Sequence, residues 1–108
     1  MVPLEPSPSD PQLIARVGHA YYDWASDLYT SGQKSDAAPV FERAIAYYDR
    51  FLATTPDDAV VLGDRAFALH YSGSSEAPAA LERFILTAQG NADLTAQLEH
   101  ATRLLNGN

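Results

Sequence analysis

An eight-residue frame occurs twice in this chain. Residues 25–32 read Ala-Ser-Asp-Leu-Tyr-Thr-Ser-Gly and residues 66–73 read Ala-Phe-Ala-Leu-His-Tyr-Ser-Gly, so both fit Ala-x-x-Leu-x-x-Ser-Gly at a shift of 41 positions. Each copy is followed by a short polar link, an Ala-Pro pair at 38–39 or 77–78, and then related segments. Phe-Glu-Arg-Ala-Ile at 41–45 is answered by Leu-Glu-Arg-Phe-Ile at 81–85, 40 positions on. Helix pairs recurring at a fixed period indicate a stacked architecture, because no single pair can bury its apolar face alone.

Helix signals run the length of the chain. Asp10 or Ser9 is suited to cap a first helix with Pro11 at its first position, where proline's missing N–H costs nothing. Leu13, Val17, Tyr21, Trp24, Ala25 and Leu28 recur at steps of three and four and predict its core stripe; Gly32 ends it. Gly18 lies inside this helix at a cost of about 1 kcal/mol relative to alanine. A second helix is expected with Asp36 as cap and Pro39 at its third position, carrying Ala37, Phe41, Ala44, Tyr48, Phe51 and Leu52. It stops before Pro56, which pushes its predecessor out of helical geometry. A third runs from about Asp58 through Val61, Leu62, Ala66 and Leu69 to Gly73. A fourth opens on Ser75 with Pro78 at its third position and carries Leu81, Phe84, Ile85 and Ala88 to Gly90. Asn91 caps a fifth, carried by Leu94, Leu98, Ala101 and Leu105. No segment alternates with period two, so the predicted class is all-α with about five helices. Residues 1–9 read as a flexible Pro/Ser-rich segment and 10–108 as one helical domain, divided into pairs at 10–55 and 56–90 and a closing helix at 91–106.

The bulk numbers narrow the function. With 108 residues, 46% hydrophobic and 19% charged, the composition is that of one small globular domain. Fourteen acidic side chains against seven scattered basic ones give a net charge of −7. Such a surface repels phosphate backbones and anionic membranes, so neither nucleic acid nor membrane insertion is expected. The absence of cysteine removes disulfides, thiolate metal sites and cysteine nucleophiles. Met-Val-Pro-Leu-Glu-Pro-Ser-Pro-Ser-Asp has neither the basic nor the apolar region of a signal peptide. A cytoplasmic protein is expected, with the soluble domain of a membrane-anchored one as the alternative.

The repeated pairs resemble the tetratricopeptide repeat (TPR). Tyr21, Trp24, Ala25 and Leu28, the turn at Gly32, and Ala37, Phe41 and Ala44 match that family's pattern of large and small residues. Leu62, Ala66, Leu69, Gly73, Ala77 and Leu81 match it a second time. The resemblance spans about residues 18–89. It departs from the family in its period, 41 instead of about 34, in Arg65 where a large apolar residue is usual, and in Phe84 where alanine is. It implies a TPR-like α-solenoid: a right-handed superhelical stack of antiparallel helix pairs with a C-terminal capping helix.

By position, the resemblance implies a concave groove lined by His19, Tyr22, Ser26, Tyr29 and Thr30 from the first unit. Gly63, Phe67, His70 and Tyr71 come from the second. The partner-binding residues expected are His19, Tyr22, Ser26, Tyr29, Phe67, His70 and Tyr71, gripping a protein or peptide partner in a non-catalytic adaptor or scaffold. None of these positions is Lys, Arg or Asn, which argues against the family's carboxylate-clamp subtype. Two units plus a cap fall short of the three usually needed for stability, and an extended first pair or a homodimer would compensate. The alternative function is therefore a self-associating structural unit without a separate ligand. The N-terminal tail, with prolines at 3, 6, 8 and 11, could itself lie extended in the groove.

For chemistry the candidates are sparse. His19 and Asp23, four residues apart, and His70 across the groove would form a two-His, one-carboxylate set. Asp23 with Asp27, and Asp57 with Asp58, are paired carboxylates, the latter explained by a helix start. No phosphate loop, nucleophile elbow or metal-ligand spacing is present. The expectation is no enzyme, no cofactor and no metal.

Overall fold

The repeated frame folds the same way twice. In a computed structural model, which describes residues 10–107, the N–H groups of Gly32 and Gln33 donate to the carbonyls of Tyr29 and Leu28. Those of Gly73 and Ser74 donate to His70 and Leu69 in the same pattern. Both glycines take positive φ, +85° and +81°, the left-handed conformation that ends a helix with two crossed hydrogen bonds. Ser31 and Ser72 return their hydroxyls to the carbonyls of Asp27 and Leu69. The frame is thus a helix terminator that opens on a small residue with no exposed surface, Ala25 or Ala66.

Among the described residues there are five α-helices: α1 (Pro11–Thr30), α2 (Lys34–Thr54), α3 (Ala59–Tyr71), α4 (Ala77–Ala88) and α5 (Thr95–Leu105), the last entered through a 3-10 turn, Ala92–Leu94. Among the described residues there is no strand. Asp10 caps α1 by accepting from the Gln12 N–H, and Asp58 caps α3 by accepting from Val61. Asn91 accepts from Asp93 and opens the 3-10 turn. Residues 1–9, and with them their reading as a flexible segment or a groove plug, lie outside the described residues.

Two helix starts differ from expectation. α2 begins at Lys34, so Asp36 lies in its first turn and Pro39 is inside the helix. The reason is the tight turn at Gly32, which delivers the chain directly into helical geometry and lets Ala37 donate to Gln33. No side-chain cap is used there. At α4 the cap position belongs to Glu76, not Ser75, and Pro78 is the second helical residue; the Ser74 hydroxyl accepts from the Glu76 N–H and turns the chain one residue later.

The helices pack in sequence. α2 returns antiparallel along α1, bringing Tyr48 to Gly18 and Phe41 to Ala25. α4 returns along α3, bringing Phe84 to Gly63 and Leu81 to Ala66. α3 also lies against α2, where Val61 joins Tyr48 and Phe51, and the unexpected Arg65 pairs with Asp49 of α2. α1 and α3 therefore run in the same direction side by side, and α5 covers α4 and touches α3. Burying Phe41, Leu81 and Phe84 contributes about 1.5–3 kcal/mol each.

The core face of α1 is not the predicted stripe. Ile14, Gly18 and Ala25 are its buried residues, while Leu13 and Val17 are half-buried and Trp24 keeps 54% of its surface. Tyr48 fixes this rotation, since its ring fits only where α1 offers no side chain. A Cβ added at Gly18 would lie 2.8 Å from Tyr48 Cε1, and one at Gly63 would lie 2.7 Å from Phe84 Cε1. Both rings are buried, and at these distances each would have to shift. Overpacking of this kind costs about 1–3 kcal/mol, against a helix-propensity gain of about 1. Gly18→Ala and Gly63→Ala are each expected to lower stability by about 1–2 kcal/mol, read as a lower urea midpoint with unchanged slope.

Candidate functional site

The side-by-side placement of α1 and α3 opens a cleft between them, floored by α2. Tyr22 and Tyr29, two turns apart on α1, both present their rings to Phe41 of α2, edge-on at 5.6 and 6.3 Å between centroids. Tyr71, from the last turn of α3, stacks on Phe41 at 5.9 Å and meets Tyr29 at 5.0 Å. With Ser26 and Thr30 these four rings enclose a cavity of about 270 Å³. It is an aromatic box, and Lys34 Nζ lies 5.0 Å from the centre of the Tyr29 ring.

Burial raises the phenols of Tyr22 and Tyr71 above the ordinary tyrosine range; for Tyr22 the nearby Asp64 carboxylate adds to the effect. Both rings therefore stay neutral; the Tyr71 hydroxyl is engaged by His100, so what the two offer a partner is chiefly apolar ring surface at low entropy cost. The Thr30 hydroxyl is already committed to the carbonyls of Ser26 and Asp27.

Tyr22, Ser26, Tyr29 and Tyr71 are thus brought together as the resemblance implied, and Thr30 with them. Four other positions are not: His19, at the other end of the cleft, and three more. Phe67 is only 5% exposed, packed between Phe84 and His100 of α5, and belongs to the core instead of the groove. Gly63 faces α4 beneath the Phe84 ring. His70 is half-buried, with its ring edge-on to Tyr71 at 5.1 Å, beside the box and not in it. Two contributors were not foreseen as site residues. Phe41 lies on the second helix, and only its pairing with Ala25 could have placed it on the cleft floor. His100 reaches back from α5 to bond the Tyr71 hydroxyl through Nε2 at 2.7 Å; nothing in the repeat pattern encodes that contact. Burial, with help from Arg103 and His70, holds His100 below the usual imidazole range, so the link is between neutral groups.

His19 occupies the other end of the cleft in a polar cluster. Its Nδ1 shares a hydrogen bond with the Tyr48 hydroxyl at 2.8 Å and lies 3.4 Å from Asp64 Oδ2 of α3. This cluster ties α1, α2 and α3 together through side chains. His19 is drawn to Asp64 and does not join Asp23 and His70; among the described residues no three His, Asp or Glu side chains gather as a metal site. Among the same residues no helix is long and apolar enough to cross a membrane.

No family model matches the sequence, and neither a curated protein nor a solved structure matches the chain. The geometry therefore carries the functional argument.

Asp64 provides a measurable signature of the cluster. Burial raises its carboxyl to about 6, His19 opposing the shift and Asp23 and Asp58 adding to it. The unfolded chain gives up this proton near pH 4, so between about pH 4 and 6 the folded state binds more protons. Stability then falls as pH rises through that window. The loss is at most about 3 kcal/mol. Urea unfolding from pH 4 to 8 should show this decline in the native chain and a flatter profile in Asp64→Asn.

Proposed function

We propose that the chain is a TPR-like protein-interaction module that binds a peptide or helix in the cleft between α1 and α3 and has no chemistry of its own. The carrying observation is the aromatic box of Tyr22, Tyr29, Phe41 and Tyr71, open to solvent and large enough for one apolar side chain. Sequential antiparallel pairs with α1 and α3 aligned, and α5 over the end of the stack, support the solenoid reading behind it. The acidic surface, at a net charge of −7, favours a partner with an apolar anchor flanked by basic residues.

Ser26 gives the cleanest test, because it lines the box without supporting the core. Peptide display on the immobilised chain should enrich sequences with one large apolar residue beside Lys or Arg. Those peptides should bind Ser26→Trp at least tenfold more weakly, about 1.4 kcal/mol, while its circular dichroism stays that of the native chain. Failure to enrich any sequence, or equal binding to both proteins, would remove the cleft as the site.

A further inference from the structure

α1 carries a second apolar surface, across the helix from the cleft. Leu13, Val17, Ala20 and Trp24 follow one another at steps of four, three and four, the spacing of a coiled-coil seam. With Tyr21 and Arg16 they line a shallow depression of about 500 Å³. Among the described residues no other helix packs on this side, and the chain's one tryptophan is more than half exposed there.

We propose that this face joins two copies of the chain through an antiparallel α1–α1 contact about a two-fold axis. The charges beside the seam select the occupant and its direction. Arg16 and Asp23 are one heptad apart on the same flank, both exposed, and neither forms an ion pair among the described residues. A parallel pair would set this flank against the opposite flank of the second copy, where Tyr21 stands, and leave both charges without a partner. The antiparallel pair brings each Arg16 beside the second copy's Asp23, so the complementarity is satisfied twice by one surface meeting itself. The same register places Leu13 opposite Trp24 and Val17 opposite Ala20. The large indole fills the end of each seam, and the small alanine at the middle lets the helices approach.

The seam is short, about 17 Å along the helix, so the contact belongs with small, weak interfaces. Half-dissociation is expected at roughly 10–100 µM. The proposal stands apart from the cleft: peptide affinity and dimerisation sit on opposite sides of α1 and fail separately.

Sedimentation velocity on the full chain, over roughly a hundredfold in concentration on either side of that value, gives the mass. Emission from the sole tryptophan reports whether its own face is covered. Mass should double with concentration while the emission shifts to the blue. Trp24→Glu should weaken the dimer about thirtyfold and leave the helical signal unchanged. Arg16→Asp and Asp23→Arg should each weaken it, and the two together should restore it. A monomer at every concentration overturns the proposal, and one with emission already blue-shifted assigns the face to residues 1–9 instead. A dimer indifferent to Trp24→Glu, or one that the double exchange does not restore, overturns the face or the register respectively.

Discussion

In each hairpin an aromatic ring of the second helix sits against a glycine inside the first: Tyr48 on Gly18 and Phe84 on Gly63. Most of the molecule's surface geometry depends on these two contacts. A glycine in a helix interior costs about 1 kcal/mol, so its place in two paired helices requires a return, and the return is close helix approach with a filled core. The contact also fixes rotation. Once Gly18 faces Tyr48, Ala25 must face Phe41 seven residues later, and Ile14 must enter the core one turn earlier. Tyr22, Ser26 and Tyr29 then turn toward α3, and Leu13, Val17 and Trp24 turn away from it.

The cleft follows from the second pair repeating the first pair's construction. Because the same helix terminator closes α1 and α3, both return helices leave at the same point of the frame. α3 can then lie beside α1 in the same direction. Tyr29 and Tyr71 meet because they occupy nearly the same place in the two units, two residues before Ser31 and one before Ser72. His19 and Asp64 stitch the opposite end. Aromatic contact at one end and a polar cluster at the other hold the cleft walls at a fixed spacing, so its cavity is part of the folded state.

The class, the helices and both hairpin turns were legible in the sequence, because each is written in local chemistry. Asp10, Asp58 and Asn91 are caps and Gly32 and Gly73 are terminators; Tyr22, Ser26, Tyr29 and Tyr71 came only from the family resemblance, by position. What was not legible depends on contacts that local pattern does not encode. The predicted stripe of α1 favoured Trp24 because apolar periodicity weights large residues, whereas the true core face is marked by small ones, Gly18 and Ala25. Two adjoining apolar faces on one helix cannot be ranked without knowing what the partner helix presents. Phe67 was placed in the groove because the frame says nothing of α5, and it is α5, through His100, that covers it. The start of α2 was missed for a related reason: Asp36 is a good cap, but the backbone bonds of the Gly32 turn had already set the helix going.

α1 is unusual in needing all of its circumference. A helix on the outside of a small domain ordinarily buries one stripe and leaves the opposite face charged. Here one sector faces α2, the next faces the cleft, and a third, from Leu13 to Trp24, is apolar and uncovered; Arg16, Asp23 and Asp27 are confined to the strip between the last two. Solubility alone would place charge at positions 17, 20 and 24, where it would cost no packing. Retaining valine, alanine and tryptophan there exposes apolar surface that a small acidic protein would otherwise avoid. The economical account of α1 is that its length serves three contacts at once, one within its hairpin, one across to α3 and one outward. The long first pair, with its 41-residue period, gives α1 the length on which the proposed outward contact lies.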